Sequence, residues 1–168
     1  CDAASAAAAS GLGVVPGTAT TMMKALAESS CVATLLPTAA FYLRLGRFAP
    51  ARDLIAAGAP VALATDVNPG GGLSPSLPFA MAIGCFSMGM ALEEALAAVT
   101  VNAAFSLDLQ GEVGSIEAGK RADLVVLRSP RLLDLVRVGV PAIRAVVKDG
   151  RVVVRDGRLV EAPAAPHP

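Results

Sequence analysis

APVALATDVNPGGGLSP, residues 59–75, is where the chain changes character most abruptly. An apolar run, Val61–Ala62–Leu63–Ala64, ends in Thr65–Asp66 and opens into a loop of Pro, Gly and Ser. A short, continuous apolar run closed by turn residues suits a strand covered on both faces, as in a parallel sheet. Asp66 then falls at the carboxyl end of that strand, the rim where α/β folds gather their chemistry. Asn68 adds a donor and an acceptor. Gly70, Gly71 and Gly72 admit a close backbone approach, because no Cβ intervenes. The same residues can also be read as a turn, with Asp66 closing the loop or capping the next helix. Both readings stand at this point.

Working outward, CVATLLP (residues 31–37) reads as a second buried strand, and residues 44–58 as the helix between the two. Leu45, Phe48, Leu54 and Ile55 fall roughly on one face of that helix, Gly58 stops it, and Pro50 breaks or restarts it. Strand, helix, strand is a βαβ unit, whose parallel strands need such a crossover. Residues 22–29 have a helical pattern, and residues 77–90 form a strongly apolar helix, rich in Met81, Phe86 and Met88, with Cys85 expected in the core. Residues 92–99 and 102–107 continue as helix. Glu93 and Glu94 suit its positive end, and Asn102 reads as a cap or a buried hydrogen-bonding residue.

At Gly111 the pattern turns to short β-type runs, at residues 112–116, 122–127, 142–148, 151–154 and 158–160. Asp149–Gly150 and Asp156–Gly157 are hairpin dipeptides. The expected fold class is therefore α/β, with a small antiparallel part at the end. The expected divisions are an unassigned low-complexity segment (residues 1–22), an α/β part (23–109), a β part (110–161) and a disordered tail (162–168).

The composition excludes several classes. With 14 basic and 14 acidic residues, no Trp and a single Tyr, the chain offers neither a nucleic-acid surface nor a base-stacking platform. No apolar run reaches the roughly 18 residues of a membrane span. Cys1, Cys31 and Cys85 are dispersed and odd in number, which suits reduced thiols in the cytoplasm. An apolar content of 54% with 17% charged residues is high for a free-standing domain. Together with a first residue that is Cys rather than Met, it leads us to expect a processed or truncated portion of a longer protein.

GSIEAGKRADLVVL (114–127) followed by AVVKDGRVV (145–153) resembles the closing β-strands of the amidohydrolase superfamily. In that superfamily a metal-dependent (β/α)8 barrel carries a small β-sandwich. Three further stretches, VATLLPTAAFYL (32–43), ALATDVNPGG (62–71) and LEEALAAVTVNAA (92–104), together resemble the imidazolonepropionase family within it. That family hydrolyses 4-imidazolone-5-propanoate to N-formimidoyl-glutamate in histidine degradation. The alternatives are another cyclic amidohydrolase or a deaminase of the superfamily, or a non-catalytic remnant that binds a partner.

The resemblance implies that residues 23–109 are the last strands and helices of the barrel, and residues 110–161 part of the sandwich. Asp66 matches the eighth-strand aspartate, a ligand of the zinc or iron ion and a relay for the proton of the attacking water. Such a metal lowers the pKa of bound water toward neutrality, and a neighbouring carboxylate can take its proton. Asn68 and Gly70 match substrate-contacting positions; the following contact would fall to Gly71 or Ser74. The implied partner is the small-molecule substrate, with a homodimer possible for the complete enzyme. The family's His-x-His pair, middle-strand His and Ala-Asp-His-Leu motif have no match here. The single histidine, His167, lies in the expected tail, so the chain by itself is expected to be inactive.

Overall fold

The computed structural model describes residues 18–160. Its elements run α1 (Thr18–Ala27), β1 (Ala33–Leu35), α2 (Pro37–Tyr42), α3 (Ala51–Ala56), β2 (Val61–Leu63), α4 (Leu77–Ser87), α5 (Leu92–Val99), α6 (Val101–Ser106), β3 (Leu124–Leu127), β4 (Ile143–Lys148), β5 (Arg151–Arg155) and β6 (Arg158–Leu159). A 3-10 helix, Leu132–Val136, stands between β3 and β4. The expectations for Cys1 and His167 lie outside the described residues, as do those for most of the amino-terminal segment and the tail.

β1 and β2 pair in parallel, Ala33 with Val61, Thr34 with Ala62 and Leu35 with Leu63. All three residues of β2 are buried, as a both-faces-covered strand requires. The Ala64 amide prolongs the pairing by donating to the Leu35 carbonyl at 3.0 Å. β3 to β6 form a separate antiparallel meander in sequence order. Both hairpin dipeptides adopt paired positive φ, 48° and 76° at Asp149–Gly150 and 51° and 79° at Asp156–Gly157, the geometry that matches strand twist.

The crossover differs from its expected form. Instead of one helix over residues 44–58, there is a short α2 starting at Pro37, an irregular stretch, and α3 from Ala51. Arg44 and Gly46 take φ of 52° and 71°, which no right-handed helix can continue through. Pro50 stands at the N-cap of α3, where the helix restarts. Residues 112–116 are turns rather than a strand. Gly114, at φ 95°, lies so close to α6 that a Cβ there would come 2.7 Å from the Ala104 Cβ, so this segment packs as a loop. Strand β3 is also shorter and more exposed than a core strand, with Val125 55% and Val126 42% accessible.

The core joins β1 and β2 to α3, α4 and α5 through Leu35, Leu54, Val61, Leu63, Met81, Ile83, Met90, Ala95 and Ala98. Burying a side chain such as Met81, 1% exposed, contributes roughly 1.5–3 kcal/mol. Small residues set the spacing. A Cβ at Gly84 would lie 3.1 Å from Leu63 Cδ1, so the glycine lets α4 lie directly on β2. Cys85, expected in the core, is only half-buried; along the same stretch Met81 and Met88 are buried and Phe86 is 75% exposed. Phe86 belongs to the last turn of α4, beyond the run of buried residues that Ala80 to Gly84 supply.

Two polar contacts tie this core together. The Asn102 Nδ2 donates to the Val61 carbonyl at 2.8 Å, fixing α6 to the start of β2. Arg52 on α3 donates to both carboxylate oxygens of Glu94 on α5, at 2.8 and 2.9 Å. Glu94 also accepts from the Ala91 amide at 2.7 Å, so it caps its helix as well as bridging two elements. Lys120 donates to Ser115 at 2.5 Å and to Glu117 at 3.2 Å.

Candidate functional site

Asp66 lies three positions beyond Leu63, just past the carboxyl end of β2 and half-buried. Its backbone is left-handed, φ 50°. Asp is one of the few side chains that tolerate that region. The loop then folds back on it. Asn68 Nδ2 donates to the Asp66 carbonyl at 3.0 Å and to its Oδ1 at 2.9 Å. Asn68 Oδ1 accepts from the Gly70 amide at 2.9 Å. The Gly72 amide returns to the Asp66 carbonyl at 2.8 Å, and the Gly71 amide donates to the Asn68 carbonyl at 3.2 Å.

Two of the three glycines are sterically obligatory. A Cβ on Gly71 would sit 2.6 Å from Asn68 Nδ2, 2.6 Å from Asp66 Oδ2 and 2.9 Å from the Asp66 carbonyl. On Gly72 it would sit 2.4 Å from the Thr65 carbonyl. On Gly70 it would meet only Asn68 Oδ1, at an ordinary 3.6 Å. Gly71 and Gly72 are buried and Gly70 is exposed. The first two let the loop close on Asp66, and Gly70 presents its backbone outward.

The structure thus brings Asp66, Asn68, Gly70 and Gly71 into one knot. Ser74 is directed elsewhere: its hydroxyl accepts from the Ser76 amide at 3.3 Å, beside the Ser76 cap of α4. Both N–H bonds of the Asn68 amide are spent on Asp66. A lone pair on its Oδ1 is what remains for a ligand.

Sequence reasoning missed Thr38. It is fully buried, and its Oγ1 donates to the Thr65 carbonyl at 2.5 Å. Its partner lies 27 residues away in sequence, so no local pattern pointed to it. Tyr42, in the segment after β1, packs edge-on against Phe41 and Phe79, with ring centroids 5.3 and 6.4 Å away.

Among the described residues no three His, Cys, Asp or Glu side chains are grouped as a metal ion would need. A catalytic divalent ion takes about three protein ligands, so Asp66 with these neighbours does not fit one unaided. The arrangement can hold a carboxylate in a fixed direction at a strand end, with an exposed turn beside it.

The sequence model of the Amidohydrolase family matches residues 1–160. The chain is 49% identical over 130 residues to an imidazolonepropionase of Geobacillus sp., covering 77% of this chain and 30% of that protein. It is 39% identical to the imidazolonepropionase of Alkaliphilus metalliredigens, again over 77% of this chain and 31% of that one. The chain therefore spans about a third of the length of the curated relatives it matches. Among solved structures, an amidohydrolase from Thermotoga maritima is 31% identical with a TM-score of 0.62, covering 82% of this chain and 35% of that one. An adenosine deaminase from Xanthomonas campestris with bound zinc superposes with a TM-score of 0.74 at 21% identity, over 85% and 36% of the two chains. At that identity the likeness is one of fold.

Proposed function

Since the chain belongs to the amidohydrolase family, we propose that it is the carboxyl-terminal portion of an imidazolonepropionase, which hydrolyses 4-imidazolone-5-propanoate to N-formimidoyl-L-glutamate. In this reading residues 23–109 are the end of the (β/α)8 barrel and residues 110–161 part of the β-sandwich. The observation that carries it is the Asp66 knot: a carboxylate fixed at the carboxyl end of a parallel strand, in the segment that resembles this family. The names of the curated relatives support the choice of substrate.

Asp66 would take the proton of the water that adds to the ring carbonyl and return it to the ring nitrogen as the C–N bond breaks. The lone pair of Asn68 Oδ1 and the outward backbone of Gly70 would face the substrate. Gly71 would act by letting the loop close, and Ser74 would be a more distant contact. In the complete enzyme, a cytoplasmic protein and possible homodimer, Asp66 would be one ligand of a zinc or iron ion. The remaining donors are not among the described residues.

A graft tests this reading. The chain replaces the corresponding third of the Geobacillus imidazolonepropionase, and consumption of 4-imidazolone-5-propanoate is followed. Turnover by the graft, lost in Asp66→Ala and absent from the 168-residue chain alone, is expected. A folded graft with no turnover, or chelator-sensitive turnover by the chain alone, overturns it. The single metal donor at the site favours a second reading, a non-catalytic remnant that binds a partner. A graft that folds but neither retains metal nor turns over substrate would support that one.

A further inference from the structure

We infer that Thr38 is a positioning residue for Asp66, acting through the Thr65 carbonyl to hold the loop in the conformation that aims the carboxylate. The inference rests on the proposed role of Asp66 for its functional meaning, while its geometry stands independently. Thr38 is 0% exposed, and its Oγ1 reaches the Thr65 carbonyl at 2.5 Å. That carbonyl belongs to the peptide whose nitrogen is Asp66's own, so the bond fixes the plane from which Asp66 departs. Immediately beyond it, Asp66 turns to φ 50°.

The fixation continues on the far side of Asp66. The Gly72 amide donates to the Asp66 carbonyl at 2.8 Å. A Cβ on Gly72 would fall 2.4 Å from the Thr65 carbonyl and 3.1 Å from Thr38 Oγ1. Thr38, Thr65 and Gly72 are therefore in direct contact behind Asp66, while Asn68 holds the carboxylate in front. The hydroxyl cannot be replaced by its own shape. A methyl in its place would leave the Thr65 carbonyl facing an apolar group in a buried setting, where an unpaired acceptor is costly. Placement at the start of α2, directly after β1, puts this donor on one of the better-packed parts of the chain. A loop held from a rigid element keeps its geometry better than one held only by itself.

The test uses the whole chain with four sequences: the parent, Thr38→Val, Thr38→Ser and Gly72→Ala. Amide hydrogen exchange and the backbone chemical shifts of Asp66 are read by NMR. Thr38→Val removes the hydroxyl at nearly constant shape, and Thr38→Ser retains it. Gly72→Ala leaves Thr38 intact but pushes on the same carbonyl. In Thr38→Val the Gly70 and Gly72 amides should exchange roughly tenfold faster, the effect of losing one net hydrogen bond. The Asp66 shifts should leave the left-handed range while amides of β4 and β5 keep their protection. Thr38→Ser should restore both readouts, and Gly72→Ala should reproduce the Asp66 shift change even if Thr38→Val does not fold.

Unchanged Asp66 shifts in Thr38→Val or in Gly72→Ala would overturn the inference. So would acceleration spread evenly over β4 and β5, the mark of a merely structural role. None of these readouts depends on imidazolone turnover, so failure of the proposed activity and failure of this positioning role are separable.

Discussion

Adjacent glycines in the Asp66 loop should respond oppositely to alanine. In Gly71→Ala the new methyl would stand 2.6 Å from Asn68 Nδ2, 2.6 Å from Asp66 Oδ2 and 2.9 Å from the Asp66 carbonyl. The two side-chain ends can swing away, but only by giving up the bond between them, 2.9 Å in the parent. The carbonyl cannot swing, because the Gly72 amide holds it at 2.8 Å. Overpacking of this kind costs roughly 1–3 kcal/mol, and losing the partly exposed Asn68–Asp66 bond adds about 1 kcal/mol. Gly71→Ala should therefore lose about 2–4 kcal/mol, much of the margin of a small domain. In Gly70→Ala the nearest atom is 3.6 Å away, and φ is not in the left-handed region. Its effect should lie within about 0.5 kcal/mol, or be slightly stabilising through the unfolded chain. Urea melts of both variants beside the parent decide it. Equal losses at the two positions would mean that the loop does not close on Asp66 as described.

Acid should weaken the Arg52–Glu94 link. The Arg52 guanidinium, and then the Ala91 amide, hold the Glu94 carboxyl below its usual range. A carboxyl lowered on folding stabilises above its unfolded pKa, near 4.5, and that contribution is lost as pH falls from there through the folded value. The Tm gap between parent and Glu94→Gln should be constant from neutral pH to about 5 and close below that window; a gap that widens in acid would contradict the link. Asn102→Ala should cost about 1–2 kcal/mol in a urea melt by removing the side-chain donor to the Val61 carbonyl, and no loss would show that this bond does not anchor β2.

The parts legible in sequence were those where local chemistry and packing agree. Residues 61–64 are apolar without alternation, and β2 is buried at every position. Asp149–Gly150 and Asp156–Gly157 carry a turn requirement that only such dipeptides meet, and both turn as read. Illegible parts depended on distant contacts. Leu45 and Phe48 fit a helical face, yet Arg44 and Gly46 leave helical space, and no local signal in LRLGRFAP announces a left-handed arginine. Residues 112–116 read as a short β-type run, but packing of Gly114 against Ala104 makes them a loop. At the site, the sequence named Asp66 and Asn68 but could not rank the glycines, since the clash that singles out Gly71 and Gly72 involves folded atoms. Thr38 was hidden for the same reason: its partner is 27 residues away.

The left-handed backbone of Asp66 does not by itself set it apart from a turn residue, because this chain uses aspartate for left-handed turns repeatedly. Among the described residues, positive φ at non-glycine positions occurs at Arg44, Asp66, Asp108, Asp149 and Asp156. Asp149 and Asp156 each precede a glycine that also has positive φ, in hairpins, and Asp108 follows α6 on the surface. Their side chains are incidental to the turn or serve surface pairing, as Asp156 does with Arg128 at 2.6 Å. Asp66 differs in what surrounds it. Its carboxylate is bound by a side chain two residues on, its carbonyl by the Gly72 amide, and the preceding carbonyl by a fully buried hydroxyl from the start of α2. A turn needs none of these three restraints. A carboxylate that must keep one direction at a strand end needs all of them, since each restraint removes a rotation that would otherwise let it swing into solvent. The extra restraints, rather than the φ angle, favour the site reading over the turn.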